Sequence, residues 1–176
     1  MKKPICFIVG VTVAMTPCLI TAAPFNPVPL TPDSFNADMI VEAAAPAPLI
    51  TGITASLDAG TSRTGFTWYE IGYNTGSPAT GIPAAGSTFT HANDSTKSFT
   101  MPASYTQLNT LFISSQSTTG TLTVTTPTVL TGLSLLLSSG GGACNMNYVV
   151  THADSTTESG SVAAPDWFNG ASPAYT

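Results

Sequence analysis

Cys144-Asn145-Met146-Asn147-Tyr148-Val149-Val150-Thr151 reads as a half-buried β-strand. Cys144, Met146, Tyr148 and Val150 fall on one face at period two, and Asn145, Asn147 and Thr151 fall on the other. Ala153-Asp154-Ser155-Thr156 supplies a turn, and Thr157 to Ala163 returns as the partner strand with Val162 as its main apolar contact. Upstream, Leu133-Ser134-Leu135-Leu136-Leu137 is the most apolar segment outside the N-terminus, and Ser138-Ser139-Gly140-Gly141-Gly142 reads as a loop by composition. Thr121-Leu122-Thr123-Val124-Thr125 alternates strictly, so Leu122 and Val124 share a face.

Further strand signals lie at Ser34–Glu42, Thr64–Ile71, Ser87–His91, Lys97–Met101 and Leu111–Ile113, separated by Gly, Pro, Asn and Ser turns. Asn93-Asp94-Ser95 matches a glycosylation sequon and reads as a turn. Ala43-Ala44-Ala45 favours a helix only until Pro46 and Pro48, and no long amphipathic helix is evident. The expected fold is all-β, an antiparallel β-sandwich or jelly roll. The chain stops at Ser172-Pro173-Ala174-Tyr175-Thr176 without a closing strand, so a C-terminally truncated sandwich and a further C-terminal domain are both expected.

The N-terminus has a different character. Lys2 and Lys3 precede the apolar run Ile5–Met15, and Thr21-Ala22-Ala23 offers small residues for cleavage. This is the layout of a secretory signal peptide, and Pro17 breaks a run already too short to span a bilayer. The expected organisation is a signal peptide over 1–23, a Pro/Ala-rich leader over 24–48 and a β-sandwich domain over 49–176, with cleavage after Ala23 or Ala22. The expected destination is extracellular, with no transmembrane segment in the mature chain. Cleavage removes Cys6 and Cys18 and leaves Cys144, so no intramolecular disulfide is expected. Cys144 lies on the apolar side of its strand, which makes it a small core residue.

Only 7% of the 176 residues are charged and the formal net charge is -5. Beyond Lys2 and Lys3 the cations are Arg63 and Lys97, which excludes a phosphate-binding footprint and makes nucleic acid a poor partner. The histidines are His91 and His152, and no Gly-x-Ser-x-Gly elbow accompanies the serines. The carboxylates Asp58, Glu70, Asp94, Glu158 and Asp166 show no spacing that selects a catalytic pair. Metal-ligand spacings and an Asp-x-Asp-x-Asp loop are missing, so no cofactor is expected, and structural calcium has no motif behind it. No catalytic residue is assigned.

Aromatic and polar residues cluster twice, at Trp68-Tyr69-Glu70 with Tyr73-Asn74, and at Asp166-Trp167-Phe168-Asn169. Such mixtures suit sugars, because rings stack on the apolar sugar face while carboxylates and amides bind hydroxyls. Core or sheet-edge packing is the competing reading of both tryptophans.

The hairpin Val150-Thr151-His152-Ala153-Asp154-Ser155-Thr156, followed by Asp166-Trp167-Phe168, resembles a Val-x-Tyr-x-Asp-Gly-Ser/Thr hairpin with an Asp-Trp element. Gly81-Ile82-Pro83, leading to the strand around Phe89, is similar to the opening of the same modules. These are galactose-binding-like β-sandwich domains attached to secreted bacterial carbohydrate-active and surface proteins. Ser155 stands where that pattern has Gly, and His152 where it has Tyr. The resemblance covers about residues 30–176 and implies an accessory role with glycan as partner, not a reaction. A structural or adhesive surface domain is the alternative, and a hydrolase working through His152 or the carboxylates is a third.

Overall fold

The computed structural model describes residues 5–14, 24–45, 53–58, 66–73, 81–169 and 173–176. Among the described residues ten strands follow in chain order: β1 (Ile5–Ala14), β2 (Phe25–Pro27), β3 (Ile40–Val41), β4 (Trp68–Tyr69), β5 (Thr88–His91), β6 (Asp94–Thr100), β7 (Leu111–Ile113), β8 (Leu133–Gly140), β9 (Cys144–Thr151) and β10 (Thr157–Ala164). Among the described residues the only helical piece is a 3-10 turn at Pro32–Ser34, where Pro32 presets the backbone. The fold is therefore all-β, in several sheets compatible with a β-sandwich. None of the described helical structure is long and apolar enough to cross a membrane.

β9 and β10 pair antiparallel over Cys144–Thr151 and Thr157–Ala164, as the alternation predicts. Ser155 takes a positive φ of 68°, the left-handed position that ends a three-residue loop. Asp154 makes this tolerable: its Oδ1 accepts from the Thr156 amide at 3.0 Å and from the Thr156 hydroxyl at 2.6 Å. The Ser155 amide closes the turn on the His152 carbonyl at 2.9 Å. Tyr148 faces Gly160 across the ladder, and its ring fills the space where a glycine side chain is missing. Cys144, Met146, Val150 and Val162 are half-buried along the same pair of strands.

The large sheet is mixed. β5, β6, β2 and β1 are hydrogen-bonded in that order, β7 pairs with the same edge of β1 as β2 but at its other end, and β8 pairs with the opposite edge of β1. β2 runs parallel to β6, and β3 parallel to β4, which corrects the expectation of a purely antiparallel arrangement. Long connections separate these pairs, so no hairpin forces the opposite direction. Several sequence expectations also change in detail: within the described part of Thr64–Ile71 only Trp68–Tyr69 is strand, and Asp94 and Ser95 of the expected turn open β6. Ser34–Glu42 yields only Ile40–Val41 as strand. Ser138–Gly140 continues β8 instead of forming a loop, because Ser139 is fully buried and uses its polar groups on the strand's neighbours. Thr121–Thr125 keeps its two faces, with Leu122 and Val124 half-buried, but forms only the bridge Leu30↔Val124. Its partner segment runs from Pro29 to Pro32, and proline offers no N–H to extend a ladder.

The core centres on Met39, Ile40, Leu57, Met101 and Tyr105. Phe89, Phe112 and Leu136 reach it from the large sheet, and Trp68 from β4. Burying Met39 and Ile40 removes their backbone amides from water, and Asn109 satisfies both. Asn109 is itself fully buried; its Oδ1 accepts from the Met39 and Ile40 amides at 3.0 and 3.1 Å. Its Nδ2 donates to Asp38 Oδ1 at 2.9 Å and to the Tyr105 and Gln107 carbonyls at 3.1 and 3.0 Å. Burial raises the Asp38 carboxyl above its ordinary range, against the opposing hydrogen bond from Asn109. Tyr105, donating to the Pro83 carbonyl at 2.7 Å, is also pushed up by burial.

Candidate glycan-binding surface

The strand-to-loop exit after β10 sets the position of Trp167. Its backbone amide donates to the Ser139 carbonyl at 2.8 Å, and the Ser139 amide donates to the Pro165 carbonyl at 2.8 Å. Asp166 thereby bridges to Ser139 as a parallel pair. The Trp167 indole Nε1 donates to Asp58 Oδ2 at 2.9 Å, and Asp58 Oδ1 accepts from the Gly141 amide. Asp58 sits at a φ of 51°, a conformation that Asp tolerates better than most residues. One hydrogen bond from its backbone, a second at Pro165 two residues earlier and one from the ring therefore fix this tryptophan.

Three rings surround it. Trp68 meets Trp167 edge-to-face at 5.9 Å, Phe66 does so at 6.4 Å, and Phe168 lies tilted at 5.8 Å. Such offset and perpendicular contacts are the favoured aromatic geometries. Trp68 and Trp167 also pack on the core. Phe66 and Phe168 are 37% and 75% exposed, so the cluster grades from core to solvent. Asn169 is exposed beside Phe168.

The two aromatic groups anticipated from sequence thus meet at their tryptophans. The remaining members are placed differently. Tyr69 alternates with Trp68 along β4 and stacks on Tyr73 at 4.8 Å. Burial, with Tyr73 nearby, raises the Tyr69 hydroxyl above its ordinary value. Both Glu70 oxygens are engaged: one accepts from the Ala43 amide at 2.7 Å and the other from the Ala85 amide at 2.9 Å. Glu70 thus ties two loops together beside its bridge to Ile82. Phe168 belongs to the anticipated second cluster, Asn74 of the first lies outside the described residues, and Asp58 and Phe66 were not among the anticipated site residues. The aromatic-rich string around Phe66 was a signal for it; Asp58 had none, since it joins Trp167 across 109 positions.

His152 Nε2 lies 3.4 Å from Glu158 on the exposed hairpin, and His91 Nδ1 accepts from the Asn93 amide at 3.1 Å. Among the described residues no group of three His, Cys, Asp or Glu side chains is arranged to hold a metal ion. Elsewhere, a groove between Pro27–Pro32 and Met101–Leu108 has no charged residue among its described lining. No family model matches the chain, and neither a curated protein nor a solved structure is similar enough to match it.

Proposed function

We propose that this chain is an exported, non-catalytic β-sandwich module of the galactose-binding-like kind that binds glycan on the surface formed by Phe66, Trp167 and Phe168. The observation carrying this reading is the graded ring cluster: Trp167 is anchored by Asp58 and the Ser139 backbone, while Phe168 stays 75% exposed beside it. An exposed ring next to a fixed one presents an apolar platform to a sugar face, and Asn169 and Asp166 supply polar groups at its margin. The hairpin and Asp-Trp resemblance supports the same reading, and the low cation content argues for an uncharged or hydroxyl-rich ligand.

Affinity electrophoresis against a panel of neutral and acidic polysaccharides tests it. Retardation by at least one glycan is expected, and Phe168→Ala is expected to abolish it with an unchanged melting temperature. No retardation on any glycan, or retardation untouched by Phe168→Ala, overturns the proposal.

A further inference from the structure

The rings around Trp167 do not form a flat platform. None of its three neighbours lies parallel to it: Phe66 stands at 84°, Trp68 at 87° and Phe168 at 59°. A flat sugar face therefore rests on one ring at a time, and the others meet it as walls. A compact cation makes fuller use of such an arrangement. It is drawn to the negative face of each ring it reaches, whatever the angle between the rings. Phe66 and Phe168 are the exposed members of the cluster and stand open to it.

Charge points the same way. Asp58 is half-buried at the cluster and has no cationic partner among the described residues. Its oxygens accept from the Trp167 indole and the Gly141 amide, both neutral donors, so its negative charge stays uncompensated. A carboxylate on the indole N–H also polarises the ring and makes its face more negative. Asp166, the residue before Trp167, is a second half-buried carboxylate, and its side chain has neither a hydrogen bond nor an ion pair among the described residues. Lys97, the one lysine or arginine among the described residues, is bound to Asp94 at 2.8 Å. An anionic ligand would be repelled here, and a neutral one would leave the charge of Asp58 unmatched.

We propose that the glycan bound on this surface carries ammonium groups: it is an amino-sugar polymer with free amines, one ammonium lying among Phe66, Trp167 and Phe168 against the charge of Asp58. This rests on the glycan reading above and narrows it to one substrate class. The apolar face of the sugar still stacks on an exposed ring. The ammonium adds a cation–π contact and an opposing charge for the carboxylate. N-acetylation removes both contributions, because the resulting amide is neutral and bulkier than the amine.

Both tryptophans of the chain belong to the cluster, so their emission reports on it directly. The full chain is titrated, in mildly acidic buffer that keeps amines charged, with a β-linked glucosamine tetrasaccharide and with its fully N-acetylated form. The expected result is a saturable change in emission, with the free-amine form bound about tenfold more tightly than the acetylated one. Phe168→Ala and Asp58→Asn each abolish that preference. Asp33→Asn, which removes an exposed charge on the Pro32–Ser34 turn, leaves it unchanged. Phe168→Ala alters no charge, so it decides the matter if Asp58→Asn fails to fold. Equal affinity for the two forms, or tighter binding of the acetylated one, overturns the inference and leaves the glycan reading standing. So does a preference that survives Phe168→Ala or a folded Asp58→Asn, or one that Asp33→Asn weakens as much as Asp58→Asn does, since that marks attraction by net charge alone. If neither tetrasaccharide binds, the inference falls, and retardation on the polysaccharide panel then decides the glycan reading separately.

Discussion

Replacing Asn109 tests the account of the core most directly. Asn109→Ala strips the acceptor from two buried amides, those of Met39 and Ile40. Each orphaned buried donor costs about 1–3 kcal/mol, so the pair costs about 4 kcal/mol. Domains of ordinary stability have about 5–15 kcal/mol in total, so the variant is expected to fold but with a much lower urea midpoint. With an m-value of about 2 kcal/mol/M, the midpoint falls by about 2 M. Asn109→Asp separates hydrogen bonding from shape. It keeps an acceptor for the two amides but turns an oxygen towards Asp38 Oδ1 and the Tyr105 and Gln107 carbonyls, which now accept from Nδ2. A buried carboxyl facing acceptors has a raised pKa in the folded state. Its penalty is therefore full at neutral pH and is relieved as pH falls through that raised value. Urea titrations of wild type and both variants at pH 7 and pH 5 provide the assay. The wild type is needed at each pH because Asp38 is itself raised by burial. A loss under about 1 kcal/mol for Asn109→Ala, or a harmless and pH-independent Asn109→Asp, would refute the reasoning.

Three other outcomes are expected. Gly81→Ala places a Cβ 2.7 Å from both the Tyr69 carbonyl oxygen and the Ile71 nitrogen, at a φ of +153°. It should cost about 2–4 kcal/mol by thermal melting, through backbone that has to move. Asp58→Ala removes the charged acceptor of the Trp167 indole and should cost about 2 kcal/mol, with a changed near-ultraviolet circular dichroism signal from the ring cluster. The Asp94 carboxyl is held well below its usual range by Lys97 and then by the Thr96 hydroxyl and amide. Its stabilising effect is therefore present above the unfolded value of about 4 and lost as pH falls through the folded one; Asp94→Asn should flatten the stability–pH curve between about pH 5 and pH 2.

The sequence made the β9–β10 hairpin legible because both of its signals are local: period-two alternation and an Asp-centred turn. Alternation at Thr121–Thr125 likewise told the faces correctly, since Leu122 and Val124 turn inward. It could not tell that the opposing segment is proline-bounded and unable to form a ladder. Ser138-Ser139-Gly140 misled because composition weighs serine as a loop residue. Here the Ser139 hydroxyl reaches the Gly142 and Pro165 carbonyls at 2.7 and 3.0 Å, which makes its burial acceptable. The candidate surface was half legible. Its rings announce themselves by type, whereas the Asp58–Trp167 bond and the Asn109 hub join residues 109 and about 70 positions apart. Pairings at such separations come from topology, which single-residue preferences do not encode.

The anchoring of Trp167 also bears on the thermodynamics of the proposed glycan recognition. A ring fixed by its own indole hydrogen bond, with its backbone tied to β8, has already lost its rotameric freedom in the empty protein. Ligand contact with it then carries little ordering cost, so the affinity available from a small stacking area is retained instead of being offset by immobilisation. The larger share of that cost falls on Phe168, whose side chain stands largely in solvent. Binding heats should therefore be more sensitive to stiffening Phe168 than to any change that merely preserves Trp167 in place.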